Sequence, residues 1–402
     1  MNPAQLRAEP TETPSSVPRR AVPAPVKPVP EADRLARVTL SCGVEPGDGA
    51  TSSLVRQMGA VRALEQSLTS TSDTGVAERL AERLAGVDPL RQLDQADRCG
   101  IRFVVPGDPE WPPGLDQLDH VLAEESFGGT PPGLWVRGPM PLTEIATSVA
   151  VVGSRAASVY GVEMTRAICD HLALAGVPVV SGGALGIDFE AHDATLVSGG
   201  ATAAILACGV DRVYPAANRR LLQHLAAEFA VVSEQPPGSA PTRPRFLARN
   251  RLIAAVTTGT VVVEAALRSG ALNTAGWAEQ MNRHVMCVPG PVTSYTSQGV
   301  NNFLREGRGT VVTRGAEVLE LLGSAGEHLV DAPRGEERAR DRLTPIERRV
   351  AEWVPVSEPA EVDSISRLCG LHIRTTEGAL RRLESKGFVR LTDSGWRLAP
   401  DA

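Results

Sequence analysis

Lysine is almost missing from this chain. Of its 41 basic residues only Lys27 and Lys386 are lysines, one in a proline-rich start and one near the C-terminus. A Walker A loop needs a lysine beside its glycines, and a cofactor aldehyde needs a lysine amine. The central region offers neither, which argues against motor ATPases and pyridoxal enzymes. Cysteines are few and scattered: Cys42, Cys99, Cys169, Cys208, Cys287 and Cys369 show no paired spacing that would ligate a metal or carry redox chemistry. They are expected to be buried thiols in a reducing cytoplasm. Long apolar runs are absent too. Stretches such as Val149 to Val152 or Ile253 to Val256 are far too short to cross a bilayer, so no membrane span is expected. The start lacks the apolar stretch of a secretion signal, and the eight prolines between Met1 and Pro30 point to a disordered arm. The net charge of −6 is acidic, but a binding groove answers to local charge and not to the total.

What is present divides the 402 residues into several parts. After the arm (1–30), residues 31–95 are rich in Leu, Ala, Arg and Glu at helical spacing, broken by turns such as Glu45-Pro46-Gly47-Asp48-Gly49, and read as a small helical domain. Residues 96–322 change period. Ile101 to Val105 and Leu134 to Val136 read as added edge strands. Short buried strands then alternate with helices: Val149 to Val152, Val177 to Val180, Ala203 to Leu206, Ala230 to Val232, Val261 to Val263, Val285 to Val288 and Thr310 to Val312. That alternation predicts an α/β fold, a Rossmann-like parallel sheet covered on both faces, with ligands at the carboxyl ends of its strands. A charged linker (323–342) leads to 343–402. There the capping box Thr344-Pro345-Ile346-Glu347, helices Ser364 to Cys369 and Thr376 to Lys386, and a hairpin from Phe388 to Leu398 describe a C-terminal winged helix. It suits DNA or protein equally, since Glu377 and Glu384 dilute Arg381, Arg382 and Lys386.

The loops at the strand ends carry the chemistry. Gly153-Ser154-Arg155 lets backbone approach an anion and adds a two-pronged guanidinium, although such an arginine is also common on ordinary surfaces. Ser181-Gly182-Gly183, running into Gly186 to Asp188, has the form of a phosphate cradle. Its spacing is wrong for Gly-x-Gly-x-x-Gly, and the next strand ends Leu206-Ala207-Cys208-Gly209 without a ribose-binding acid, which disfavours NAD. Asp188 and His192 could form an acid/base pair or serve as a helix cap and a buried histidine. Thr242 to Arg251 packs Arg243, Arg245, Arg249 and Arg251 around Phe246, with no acid between Glu234 and Glu264. Arginines with an aromatic suit a nucleic-acid strand whose phosphates pair and whose bases stack. The alternative places Phe246 in the core and the arginines in salt bridges. Glu264 could be catalytic or could orient Arg249 or Arg251.

Together these stretches resemble the DNA-processing protein A family (DprA/Smf). The matching segments are AVVGSRAASVYG (150–161), SGGALGIDFEAH (181–192), Cys208-Gly209 to Tyr214-Pro215, SEQPPG (233–238), FLARNRLIAA (246–255), VVVEAALRSGALNTA (261–275) and VPGPVTSYTSQGVNNFL (288–304). The resemblance implies a SAM-like helical start, a Rossmann-like core and a winged helix in a cytoplasmic, dimeric protein. Such a protein protects incoming single-stranded DNA in natural transformation and loads the RecA recombinase, with no catalytic residue, metal or cofactor. It also implies the contacts: Gly153, Ser154 and Arg155 to phosphate, Gly182 and Gly183 lining the pocket, Arg243 and Phe246 gripping and stacking, and Arg249-Asn250-Arg251 as the family's signature. Leu247-Ala248 and Thr257 to Thr260 depart from the family pattern.

Two further readings compete. One is a nucleotide-cleaving enzyme resembling LOG-type phosphoribohydrolases, with Arg249 or Arg251 on phosphate and Glu264 assisting cleavage. Its Pro-Gly-Gly-x-Gly-Thr stretch is missing here, where Gly259-Thr260 stands alone. The other is a regulator whose winged helix binds duplex DNA.

Overall fold

The computed structural model describes residues 28–69, 76–123, 127–330 and 337–400. Nearly all of the arm expected over 1–30 lies outside these residues, as does 331–336 of the expected linker. Contacts divide the chain into two compact units, Met1–Val330 and Asp331–Ala402.

The larger unit is built on nine strands: β1 (Ile101–Val104), β2 (Leu134–Arg137), β3 (Val149–Val152), β4 (Val179–Ser181), β5 (Thr202–Leu206), β6 (Ala230–Ser233), β7 (Gly259–Val262), β8 (His284–Cys287) and β9 (Thr310–Val311). Their order is β1-β2-β6-β5-β4-β3-β7-β8-β9. From β6 to β9 every pairing is parallel, while β2 joins β6, and β1 joins β2, antiparallel. This is the doubly wound arrangement the apolar runs predict. The parallel part starts at β3, builds outward through β4, β5 and β6, then returns to the other side of β3 with β7.

Strand periodicity explains why both faces are covered. Along β3, Ala150 and Val152 enter one apolar cluster with Ile253, Ala275 and Trp277, while Val149 and Val151 enter another with Ile168, Leu172 and Ile187. Successive side chains point to opposite faces, so a strand apolar at every position needs helices on both. β4 starts at Val179 and not at Val177, because the Val177 amide closes the preceding helix on Leu172 O and is not free for the ladder.

The N-terminal helices do not stand apart from this sheet. Five of them fall between Glu31 and Arg98, and Val38 and Ala96 share a core with Phe103, Trp135 and Leu222. The Trp135 indole donates to Ser41 Oγ at 2.9 Å. Among the described residues no helix is long and apolar enough to cross a membrane.

The smaller unit holds helices Pro345–Glu352, Val362–Cys369 and Ile373–Ser385 and the hairpin β10 (Val389–Thr392) and β11 (Gly395–Leu398). Leu343, Val350, Ile365, Leu380, Leu383 and Trp396 form its core. The capping box at Thr344 and Glu347 forms as its sequence predicts. Glu347 does more than cap: it is 1% exposed and also accepts from Lys386 Nζ at 2.8 Å and Arg382 Nε at 3.1 Å. Two cations of the third helix are thereby committed to the first helix.

The Lys386 ammonium, with the Thr344 amide, holds the Glu347 carboxyl down at about 2 against its usual 4.5. A depressed carboxyl stabilises the folded state above its unfolded pKa and loses that contribution as it protonates. Acid titration followed by circular dichroism should therefore show the C-terminal unit weakening as pH falls from about 4.5 towards about 2. Glu347→Gln should be less stable at neutral pH and flatter across that window.

Candidate nucleic-acid interface

Because β3 is followed by β4 on one side and flanked by β7 on the other, the loops leaving β3 and β7 diverge at their carboxyl ends, where doubly wound sheets bind ligands. A cleft of about 660 Å³ opens there. Three helices begin along its wall, Ile187–Val197, Arg243–Val256 and Gly270–Gln280. Helix starts leave amide donors unpaired and favour negative charge.

The cluster from Thr242 to Arg251 is the beginning of a helix and not a strand-end loop, and its turn sorts the arginines. Arg243, Phe246, Arg249, Asn250 and Ile253 face the cleft, whereas Arg245 and Arg251 do not. Arg243 is exposed and has no acidic partner among the described residues. Phe246 is half-buried and lies outside the apolar core clusters. Its ring centroid is 5.0 Å from the Arg155 guanidinium carbon and 5.9 Å from that of Arg249, within cation–π range. Tyr214, 44% exposed, stands 5.7 Å from it.

Arg249 is buried and donates to Ile205 O at 2.6 Å. Burial pulls its pKa down to about 10, with Asp188 acting in the opposite sense. Gly182 exists to seat it, since a Cβ there would overlap the Arg249 guanidinium. Gly183 takes φ +65°, a left-handed turn that suits glycine, against Leu222. Both glycines act from behind the wall and not on it. Gly153 lines the cleft, and a Cβ on it would crowd Ile187 and the Glu264 carbonyl. Arg155 is exposed beside it, while Ser154 Oγ is turned to the Ala156 amide within its own loop. Asn250 clamps the start of the next helix, donating to Gly270 O at 3.2 Å and Asn273 Oδ1 at 3.1 Å.

Arg251 requires a correction. It is 0% exposed, away from the cleft, with Nη1 and Nη2 each 2.8 Å from Glu234 and Nε on Gly129 O. The expected nucleic-acid contact is replaced by an internal ion pair. Arg245 pairs with Glu45 of the helical segment at 2.9 Å.

Glu264 orients neither Arg249 nor Arg251. Its carboxylate, 1% exposed, accepts from the Ser158 amide (2.9 Å), Ser158 Oγ (2.6 Å) and Thr296 Oγ1 (2.9 Å), tying together the loops after β3, β7 and β8. It does not line the cleft, so the acid required by the nucleotide-cleaving alternative is not presented to a ligand. Asp188 and His192 are not an acid/base pair either. Asp188 accepts from the Gly182 amide at 3.1 Å, and burial pushes its carboxyl up. His192 is fully buried against Thr202, and burial pushes it down to about 3.

Two cleft residues escaped the sequence reading. Arg268 is exposed, has no acidic partner among the described residues and stands just before the Ser269 cap. Tyr214 supplies a second ring. The signals were a basic residue in a strand-end loop and an aromatic beside a proline.

Removing Glu234 would leave Arg251 charged and unpaired in the interior. Breaking such a pair costs about 3–5 kcal/mol. Glu234→Ala should show that loss in chemical denaturation, and Glu234→Ala with Arg251→Met should recover much of it.

Residues 102–323 match the family described as DNA recombination-mediator protein A. A putative DNA processing protein DprA of Mycobacterium tuberculosis is 40% identical over 370 residues, covering 89% of this chain and 92% of that protein. Protein Smf of Escherichia coli is 32% identical, covering 80% and 85%. The X-ray structure of DNA processing protein A from Streptococcus pneumoniae superposes with a TM-score of 0.59 at 28% identity, covering 72% of this chain and 96% of that one. With more than half of its length inside the matched region, the chain belongs to the DNA recombination-mediator protein A family.

Proposed function

We propose that the cleft binds single-stranded DNA and that the protein, as a homodimer, protects the strand and delivers it to a RecA-type recombinase. The observation that carries the binding is a pair of rings at the cleft, half-buried Phe246 and exposed Tyr214, among three exposed arginines without acidic partners among the described residues, Arg155, Arg243 and Arg268. Unpaired bases stack on such rings with little regard to sequence, while guanidinium groups and helix-start amides take the phosphates. In duplex DNA the bases are already stacked on one another, so rings gain nothing from them. Membership of a recombination-mediator family supports delivery to a recombinase. No step of this role requires a reacting side chain, metal or cofactor.

Binding measured across a salt series should give a slope of about −0.7 per phosphate neutralised, hence about −2 for three arginines. Arg155→Ala or Arg243→Ala should each make the slope shallower by about 0.7. Phe246→Ala should weaken binding by about 1–3 kcal/mol with the slope unchanged. Single strands should displace duplex of equal length, and nucleoside monophosphates should be returned intact. A flat salt response, or release of free base, would refute the reading. Acceleration of RecA filament assembly on single strands tests delivery.

A further inference from the structure

A second groove, of about 400 Å³, lies between helix Arg219–Glu228 and the sheet. Its floor is aliphatic, with Leu206, Val210, Leu222 and Val231. Three arginines line it. Arg137, the last residue of β2, is half-buried, and its guanidinium makes no hydrogen bond or ion pair among the described residues. Arg212 and Arg219 are exposed and equally unpartnered. The acid in the groove, Asp211, already accepts from the Gly238 amide with both oxygens, at 2.8 and 2.9 Å. A guanidinium has five donors and is seldom left half-buried with none of them used. Here it lines a groove with an aliphatic floor and has no partner among the described residues, so the groove is charged for an anion that those residues do not provide.

The placement says which anion. Arg212 and Val213 line this groove, and the next residue, Tyr214, lines the cleft. The two openings are therefore separated by one stretch of backbone. Arg219, Leu222, Gln223, Ala226 and Ala227 form one flank of the helix, a run of about 12 Å at 1.5 Å per residue. No aromatic side chain lines it, so it holds a backbone and does not stack bases.

We propose that a single strand held in the cleft continues over Tyr214 into this groove, where Arg212, Arg219 and Arg137 neutralise further phosphates. The proposal rests on the reading of the cleft as a single-strand site. It gives that site a direction of exit and a length dependence, because a short strand fills the cleft alone while a longer one also occupies the groove.

The test compares oligothymidylates of about 6 and about 20 nucleotides, one within and one beyond the ordinary range of single-strand site sizes. Their binding is measured by fluorescence anisotropy in a salt series on the full chain. Arg137→Ala/Arg219→Ala should weaken the longer strand on the order of tenfold and make its slope shallower by about 1.4, two phosphates at about 0.7 each. The shorter strand should be unaffected. Arg219→Glu, a single exposed change, should act in the same sense should the double variant fail to fold. Unchanged binding of the long strand, with Phe246→Ala weakening both lengths, would overturn the groove and leave the cleft reading intact. Equal losses for both lengths would also overturn it, as a general effect of charge. Should Phe246→Ala weaken neither length, the cleft reading would fall and the groove with it.

Discussion

Strand β3 hydrogen-bonds to β4 on one side and to β7 on the other, yet the chain passes through three further strands before it returns to form β7. The loop that leaves β3 must follow its helix one way, and the loop that leaves β7 must follow its own helix the other way. Nothing in a parallel sheet closes the space between them. The exposure at the cleft of Arg155, in the loop after β3, and of Arg268, in the loop after β7, follows from that reversal. Glu264 stabilises the opening by binding the Ser158 loop and Thr296 together. The carboxylate is spent on architecture.

The arginines fall into two groups that share one stretch of sequence and nothing else. Arg251 and Arg245 are matched by Glu234 and Glu45, acids from distant segments, and hold the helix Arg243–Val256 against the rest of the unit. Arg155, Arg243 and Arg268 have no acid opposite them among the described residues, so their field faces outward. Arg249 lies between the groups, buried on the Ile205 carbonyl with Asp188 near and Phe246 above it. An acidic chain thus presents a basic cleft because its acids are consumed where they serve the fold. The C-terminal unit shows the same economy. Lys386 and Arg382 of its third helix are held by Glu347, which leaves that helix less cationic than its composition suggests.

Much of this was legible in the sequence, and what was not has a physical reason. Apolar strands of about four residues at helix-length spacing gave the doubly wound sheet, because only strands buried on both faces omit the polar alternation. Ser181-Gly182-Gly183 announces a close approach of backbone, and the group that approaches Gly182 is the Arg249 guanidinium. A loop reading of the cluster around Phe246 overlooks its period. Read as a helix, its 3.6-residue period would have put Arg243, Phe246 and Arg249 on one face and Arg251 on another. The Glu234 partner of Arg251 was not available in the same way, since the pair depends on how β6 and the following helix pack and not on a local period. Tyr214 and Arg268 reach the cleft from loops, which carry no period at all.

The central claim is that the Phe246 and Tyr214 rings hold unpaired bases. Photocrosslinking tests it most directly, with a single-stranded oligonucleotide carrying bromodeoxyuridine at successive positions and peptide mapping of the products. The expected result is crosslinks at Phe246 and Tyr214, abolished by an excess of unlabelled single strand and little affected by duplex. Crosslinks confined to the C-terminal unit, with neither ring labelled, would contradict it.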